Sequence, residues 1–107
     1  MQELHDPVDL APYLAAEKGT VVFFEMSNCP YCLAYKARFA ELAAQRPDLG
    51  FLRVQLDDPG NPLWERYAIR AVPTVIAFAG GAVSARADSM LALGLTKKRW
   101  LDFVGQI

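Results

Sequence analysis

The chain has 107 residues, of which 53% are hydrophobic, and its 12 acidic residues nearly balance its 11 basic ones. This length and composition predict one domain, spanning residues 1–107, with a buried core, and we expect a monomer. The formal net charge of −1 argues against nucleic acid or an anionic membrane surface as a partner. No apolar stretch approaches the ~20 residues of a membrane helix, and residues 1–6 lack the charged segment followed by an apolar segment that is typical of a signal peptide. We therefore expect a cytoplasmic protein.

The first half of the chain is predicted to alternate helix and strand. Asp6 and Pro7 form an N-cap and first-turn pair, which predicts a short helix to about Glu17, closed by Gly19. The next segment, 20–26, reads TVVFFEM and is apolar and β-branched enough for a strand buried on both faces.

A long helix is predicted from Pro30 to about Arg46, where Pro47 and Gly50 end it. At 100° per residue one side of this helix is mostly apolar. That side consists of Cys32, Tyr35, Phe39, Leu42 and Ala43. Cys32 is therefore predicted to face the core, and Cys29 lies before it at the solvent end. Lys36 falls within the apolar sector, and we expect its ammonium to reach water along its own stem.

The second half is predicted to add three strands and two helices. Residues 51–56 read as a strand, 57–60 as a turn, and 62–67 as a short helix capped by Asn61. Two further strands, 74–79 and 82–87, flank Gly80-Gly81, which suits a tight hairpin turn. Thr96 is predicted to cap the final helix. This order implies an α/β fold in which helices cover both faces of a mixed central sheet.

The chain's only two cysteines, Cys29 and Cys32, lie at the junction between the first predicted strand and the long helix. A Cys-x-x-Cys at such a junction is typical of a redox dithiol. A thiol at a helix N-terminus faces unpaired backbone N–H groups and the positive end of the helix dipole, and both favour the thiolate. Because the thiolate is the attacking species, Cys29 is predicted to be the nucleophile and the shielded Cys32 the resolving thiol.

Two other interpretations of this cysteine pair stay open. A zinc site would need four ligands, whereas the chain offers two cysteines and one histidine, His5, in a polar N-terminal segment. If the two cysteines had a purely structural role, their shared position in the first turn of a helix, directly after a strand, would need another explanation.

Four segments resemble thioredoxins, in thioredoxin order. These are the dithiol after a buried strand, RYAIRAVPTVIAF at 66–78, the Gly80-Gly81 hairpin, and TKKRWLDFV at 96–104. The resemblance implies the thioredoxin fold and thiol-disulfide exchange with protein substrates, without a metal or organic cofactor. It also implies that Val72-Pro73 is a cis dipeptide beside the dithiol, with the Val72 backbone available to an extended substrate.

The active-site sequence departs from thioredoxin in two ways. Cys29-Pro30-Tyr31-Cys32 is the sequence typical of glutaredoxins, and Phe23 occupies the place of the family's buried acid. Glu25 lies two residues later on the same side of the strand, where it is a candidate to replace that acid. The alternative interpretation is that Glu25 is a solvated charge at the end of the strand. Arg53 aligns with a lysine that neighbours the acid in many thioredoxins. The alternative interpretation is that Arg53 is an exposed arginine on a strand, without a role at the site.

The resemblance predicts that substrates bind around Pro30, Tyr31, Val72 and Pro73 and that a thioredoxin reductase or another protein dithiol supplies electrons. One rival is a glutaredoxin-like, glutathione-dependent reductase. The chain lacks an acid directly after Gly80-Gly81, and Glu25 carries the wrong charge for an anionic tripeptide. The second rival is a thioredoxin-fold binding module whose dithiol is idle.

Overall fold

The centre of the molecule is a five-stranded mixed sheet in the computed structural model, which describes residues 1–15 and 17–107. The strands are β1 (Gln2–His5), β2 (Thr20–Glu25), β3 (Gly50–Gln55), β4 (Thr74–Ala79) and β5 (Ala82–Ala87). They lie in the order β1-β3-β2-β4-β5. β3 pairs in parallel with both β1 and β2, whereas β4 is antiparallel to β2 and to β5.

Helices cover both faces of this sheet, as predicted. They are α1 (Ala11–Leu14), α2 (Pro30–Gln45), α3 (Leu63–Arg66) and α4 (Lys97–Gln106). Because side chains alternate along β2, Val22 and Phe24 join the core under α1 and α3, while Val21 and Phe23 join the core under α2 and α4. β2 is therefore buried on both faces.

The N-terminal prediction was wrong. Gln2–His5 is an edge strand, and the helix is reduced to Ala11–Leu14, although the prediction ran to about Glu17 and included Ala16, which lies outside the described residues. The Asp6 carboxylate does not cap a helix, because it accepts hydrogen bonds from the amides of Asp57 and Asp58, both at 3.0 Å. The short segment QELH has little β propensity of its own, so its pairing with β3 decides its conformation.

The remaining elements agree with the sequence prediction to within one or two residues. β4 and β5 have the predicted bounds, and Gly80 and Gly81 both have positive φ (59° and 83°), as a tight hairpin turn requires. The Thr96 hydroxyl accepts a hydrogen bond from the Arg99 amide at 3.3 Å, which confirms the cap of α4. Among the described residues, no helix combines the length and apolar character needed to cross a membrane.

Candidate functional site

Cys29 and Cys32 form a disulfide at the N-terminus of α2, with their Cα atoms 5.2 Å apart. β2 ends at Glu25, and Asn28, with a φ of 57°, turns the chain into the helix. Cys29 is the N-cap, and its Sγ accepts a hydrogen bond from the Cys32 amide at 3.1 Å. This amide is one of the first-turn donors without a partner inside the helix, so in the reduced protein it favours negative charge on Cys29.

The two cysteines differ in their access to solvent. Cys32 is only 1% exposed and lies in the core-facing stripe of α2, whereas Cys29 is half-buried at the helix end. Cys29 is therefore the more accessible of the two cysteines. The structure places both cysteines where the sequence predicted them.

The peptide bond between Val72 and Pro73 is cis, as the resemblance implied. The Val72 carbonyl oxygen lies 4.0 Å from the Cys29 Sγ, so this loop adjoins the dithiol. Pro73 is buried, and its carbonyl accepts a hydrogen bond from the Ser89 hydroxyl. Of the predicted substrate surface, Pro30 and Tyr31 are exposed and Val72 is half-buried.

Glu25 is a buried carboxylate held by cations. It is 1% exposed, and Arg53 donates to it twice, from Nε to Oε2 at 2.7 Å and from Nη2 to Oε1 at 3.0 Å. This hydrogen bonding raises the pKa of Arg53 above its usual value. Arg53 also pairs with the exposed Glu3 of β1. The alternatives of a solvated Glu25 and an exposed Arg53 are therefore wrong.

Lys36 is the second cation at Glu25. Its ammonium lies 3.5 Å from Glu25 Oε1, a contact that the sequence prediction did not include, and its side chain is 37% exposed. Glu25 shares a side of β2 with Phe23 and so faces α2, which carries Lys36 one turn after Cys32. The spacing of Cys32 and Lys36 was visible in the sequence, but the partner on β2 was not.

A cavity of about 280 Å³ connects these charges to the dithiol. Its lining includes Glu25 and Lys36 as well as Asn28 and both cysteines. The acid and the dithiol that the sequence singled out therefore border one space.

Tyr31, which lies between the cysteines in the sequence, contacts the loop that connects β5 to α4. Its hydroxyl donates to the Ala92 carbonyl at 3.2 Å, and its ring lies against Gly94. A Cβ built on Gly94 would lie 2.5 Å from Tyr31 Cδ1, and Gly94 has a φ of +71°. Sequence reasoning missed this contact, whose one visible sign is a lone glycine in an apolar loop.

The loop before Cys29 is fixed by Asp57, which lies two residues after the end of β3. Asp57 accepts hydrogen bonds from the Ser27 amide at 2.8 Å and the Ser27 hydroxyl at 2.7 Å, and His5 Nε2 lies 2.9 Å from the same carboxylate. These bonds hold the pKa of Asp57 below its usual value, with the Ser27 amide as the largest cause. In the described part of the chain the candidate metal-ligand cluster is His5, Asp6 and Asp57, which includes neither cysteine.

Comparison with known proteins gives one curated relative and many similar structures. No family model matches the chain. A thioredoxin of Mycoplasmoides gallisepticum is 31% identical over 84 residues, which cover 78% of this chain and 83% of that protein. Among solved structures, spinach chloroplast thioredoxin f (short form) has a TM-score of 0.78 at 21% identity, covering 96% of this chain and 90% of that one. A thioredoxin f2 in complex with ferredoxin:thioredoxin reductase has a TM-score of 0.71 at 22% identity, covering 81% and 82%. These similarities confirm the predicted fold class.

Proposed function

Because this chain belongs to the thioredoxin family and is a protein-disulfide oxidoreductase, we propose that it exchanges disulfides with protein substrates through Cys29 as nucleophile and Cys32 as resolving thiol. The observation that carries this assignment is the unequal exposure of the two sulfurs at the start of α2, combined with the hydrogen bond from the Cys32 amide to the Cys29 Sγ.

The exchange has two steps. In the first, the Cys29 thiolate attacks a substrate disulfide, a Cys29–substrate S–S bond forms, and the second substrate sulfur leaves as a thiolate that is protonated by solvent. In the second, Cys32 loses its proton and attacks the Cys29 sulfur, which releases the other substrate thiolate. Two electrons have then passed to the substrate, and the enzyme holds the Cys29–Cys32 disulfide. Run backwards, the same steps oxidise substrate thiols.

Glu25 is proposed to assist the proton transfer from Cys32. Its support is that the carboxylate is buried and borders the cavity that both cysteines line. Arg53 donates to both oxygens and Lys36 approaches Oε1, so Oε2 is the oxygen with a second acceptor site for a proton. Arg53 is a positioning residue in this proposal.

Substrate proteins are proposed to dock on the apolar surface around Pro30, Tyr31 and Val72, with the buried Pro73 next to Val72. In support, the exposed rings of Pro30 and Tyr31 adjoin Cys29, and the Val72 carbonyl lies beside the Cys29 sulfur, where an extended substrate segment could pair with it. The exposed loop side chains Leu91 and Leu93 continue the apolar character beyond Tyr31.

The proposed electron donor is a thioredoxin reductase or another protein dithiol. In support, the similar thioredoxin f2 was solved in complex with ferredoxin:thioredoxin reductase. The Gly80-Gly81 turn, which a glutathione-dependent rival would have to use, lies at the far end of the six-residue strand β4, ~20 Å from Pro73. Glu25 does not act as an uncompensated negative charge towards glutathione, because Arg53 and Lys36 compensate it.

The glutaredoxin-type residues Pro30 and Tyr31 are proposed to set the redox poise. Centres of that type have potentials of about −200 to −230 mV, against about −270 mV for thioredoxin. Titrating the dithiol against a glutathione buffer measures the potential. Turnover that saturates with glutathione, in a protein that no dithiol donor reduces, would establish the glutaredoxin-like alternative instead.

An insulin-reduction assay with dithiothreitol tests the enzyme against the alternative of an idle dithiol. We expect wild-type protein to accelerate insulin precipitation and Cys29→Ser to abolish the acceleration. Cys32→Ser should accumulate a mixed disulfide through Cys29, because the second step is blocked. A wild-type protein that leaves the uncatalysed rate unchanged would support the binding module.

That the chain acts as a single-domain, cytoplasmic monomer remains our proposal from the sequence.

A further inference from the structure

We propose that Lys36 is an electrostatic partner of the reactive dithiol, held at the dithiol cavity by Glu25, and that its ammonium stabilises the thiolates formed during exchange. This inference rests on the proposed function and assigns a role to a residue that the thioredoxin resemblance did not single out.

The position of Lys36 follows from the helix that carries the dithiol. Lys36 lies four residues after Cys32, one turn further along the same face of α2, and it lines the same cavity as both cysteines. A lysine normally extends its ammonium into water, but this side chain is only 37% exposed because the ammonium is directed to the buried Glu25.

The charges around the cavity do not cancel. Glu25 contributes one negative charge, and it faces the two positive charges of Lys36 and Arg53, so one positive charge is in excess. Glu3 compensates Arg53 from the edge strand β1, where its side chain is 57% exposed and its field is screened by solvent.

Arg53 and Lys36 make different contacts with Glu25. Arg53 is bound to Glu25 through both Nε and Nη2, whereas Lys36 approaches a single oxygen at 3.5 Å. Lys36 lines the cavity together with both cysteines and Arg53 does not, so Lys36 is the cation that shares a space with the dithiol. Near the loop before Cys29, the Asp57 carboxylate accepts hydrogen bonds from Ser27 and pairs with His5.

A positive charge beside a partly enclosed cavity acts on a thiolate more strongly than the same charge in bulk water. It favours the ionised Cys29 of the reduced enzyme and lowers the cost of ionising Cys32 in the second step. Glu25 is a positioning residue for this effect, because it prevents Lys36 from turning into solvent.

The test compares Lys36→Met, which keeps the length of the side chain and removes the charge, with Lys36→Arg, which keeps the charge. Lys98→Met is the matched control, because Lys98 also pairs with a carboxylate, Asp102, but is 85% exposed on α4. The pH dependence of Cys29 alkylation and the reduction potential of the dithiol are measured for all four proteins, with far-ultraviolet circular dichroism to establish that each is folded.

We expect Lys36→Met to lower the Cys29 thiolate-to-thiol ratio about threefold at a given pH, a rise of ~0.5 in its apparent pKa. Destabilising the thiolate disfavours the reduced enzyme, so the potential should become more negative by up to ~14 mV, which is the same threefold factor converted to millivolts. Lys36→Arg should retain most of the wild-type behaviour, and Lys98→Met should retain all of it. An unchanged Lys36→Met, or an equal shift in Lys98→Met, would overturn the proposal.

Salt gives a readout that does not depend on how the variant folds. Raising the ionic strength from about 0.01 M to about 1 M should raise the apparent pKa of Cys29 in the wild type, because screening weakens the ammonium's field. The absence of such a rise would also contradict the proposal. Insulin reduction by the wild type reports separately on the proposed function, so a failed Lys36 test beside normal reductase activity removes only the role of Lys36.

Discussion

The dithiol has two dissimilar neighbourhoods, one charged and one apolar. The charged one is the cavity bordered by Glu25 and Lys36, with Arg53 behind them. The apolar one consists of Tyr31, the Val72-Pro73 dipeptide and the loop around Gly94. The difference suggests a division of labour, in which the cavity controls the charge on sulfur and the apolar side binds the substrate chain.

Removing the charge of Glu25 should affect the charged neighbourhood most strongly. Glu25→Gln leaves the partly buried Arg53 with the exposed Glu3 as its carboxylate partner. Breaking a buried ion pair typically costs about 3 to 5 kcal/mol of folding stability, so the loss should be at most of that size. Urea unfolding measures the loss. We expect the proton-transfer step to slow as well, which a single-turnover assay of mixed-disulfide resolution would detect.

The matched control for Glu25→Gln is Glu41→Gln, since Glu41 is exposed on α2. If the two variants lose the same small amount of stability, the ion pairs around Glu25 do not support the fold as described.

On the apolar side, Gly94→Ala should separate backbone strain from the contact with Tyr31. Gly94 and Gly80 both have positive φ, but only at Gly94 would a Cβ meet the Tyr31 ring. Each substitution should cost about 1 to 2 kcal/mol of stability for the left-handed backbone. Only Gly94→Ala should also raise the KM for a protein disulfide, because it displaces Tyr31.

Steady-state kinetics with insulin and with a small disulfide provide the measurement. A KM for insulin that rises equally in Gly80→Ala and Gly94→Ala would mean that the Tyr31–Gly94 contact does not shape the substrate surface.

The smallest expected effect concerns the loop between the two neighbourhoods. The pKa of Asp57 is lowered in the folded protein, so its contribution to stability is present above its unfolded pKa of about 3.9 and is lost as the pH falls through the folded value. Asp57→Asn should therefore be less stable than the wild type at pH 7 and approach it under strongly acidic conditions.

Urea unfolding at neutral pH and near pH 2 measures this pH dependence, with Asp102→Asn on the exposed side of α4 as the control. A stability difference between Asp57→Asn and wild type that persists unchanged at low pH would contradict the assigned role of the Asp57 carboxylate.

The sequence predicted the parts of the molecule that depend on local signals. β4, β5 and the Thr96 cap follow from alternation, a Gly-Gly turn and a capping residue, and the exposure difference between Cys29 and Cys32 follows from helix geometry. Glu25 was placed on the correct side of β2 by the period of two.

Features set by distant partners were missed. β1 forms because it pairs with β3, and Asp6 binds the amides after β3 instead of capping a helix. The orientation of the Lys36 side chain depends on the Glu25 carboxylate, which lies on another element. The contact between the Tyr31 ring and Gly94 joins residues 63 positions apart in the chain. No local pattern encodes such contacts, because each depends on how the elements pack.

The division of labour depends first on Cys29 being the nucleophile. The direct measurement is alkylation of the reduced, native protein with substoichiometric iodoacetamide across pH, followed by mass spectrometry of the modified peptide. The account predicts that Cys29 is modified much faster than Cys32 and that its apparent pKa lies below the ~8.5 of a free thiol. Modification of Cys32 first, or a Cys29 midpoint at or above that value, would contradict it.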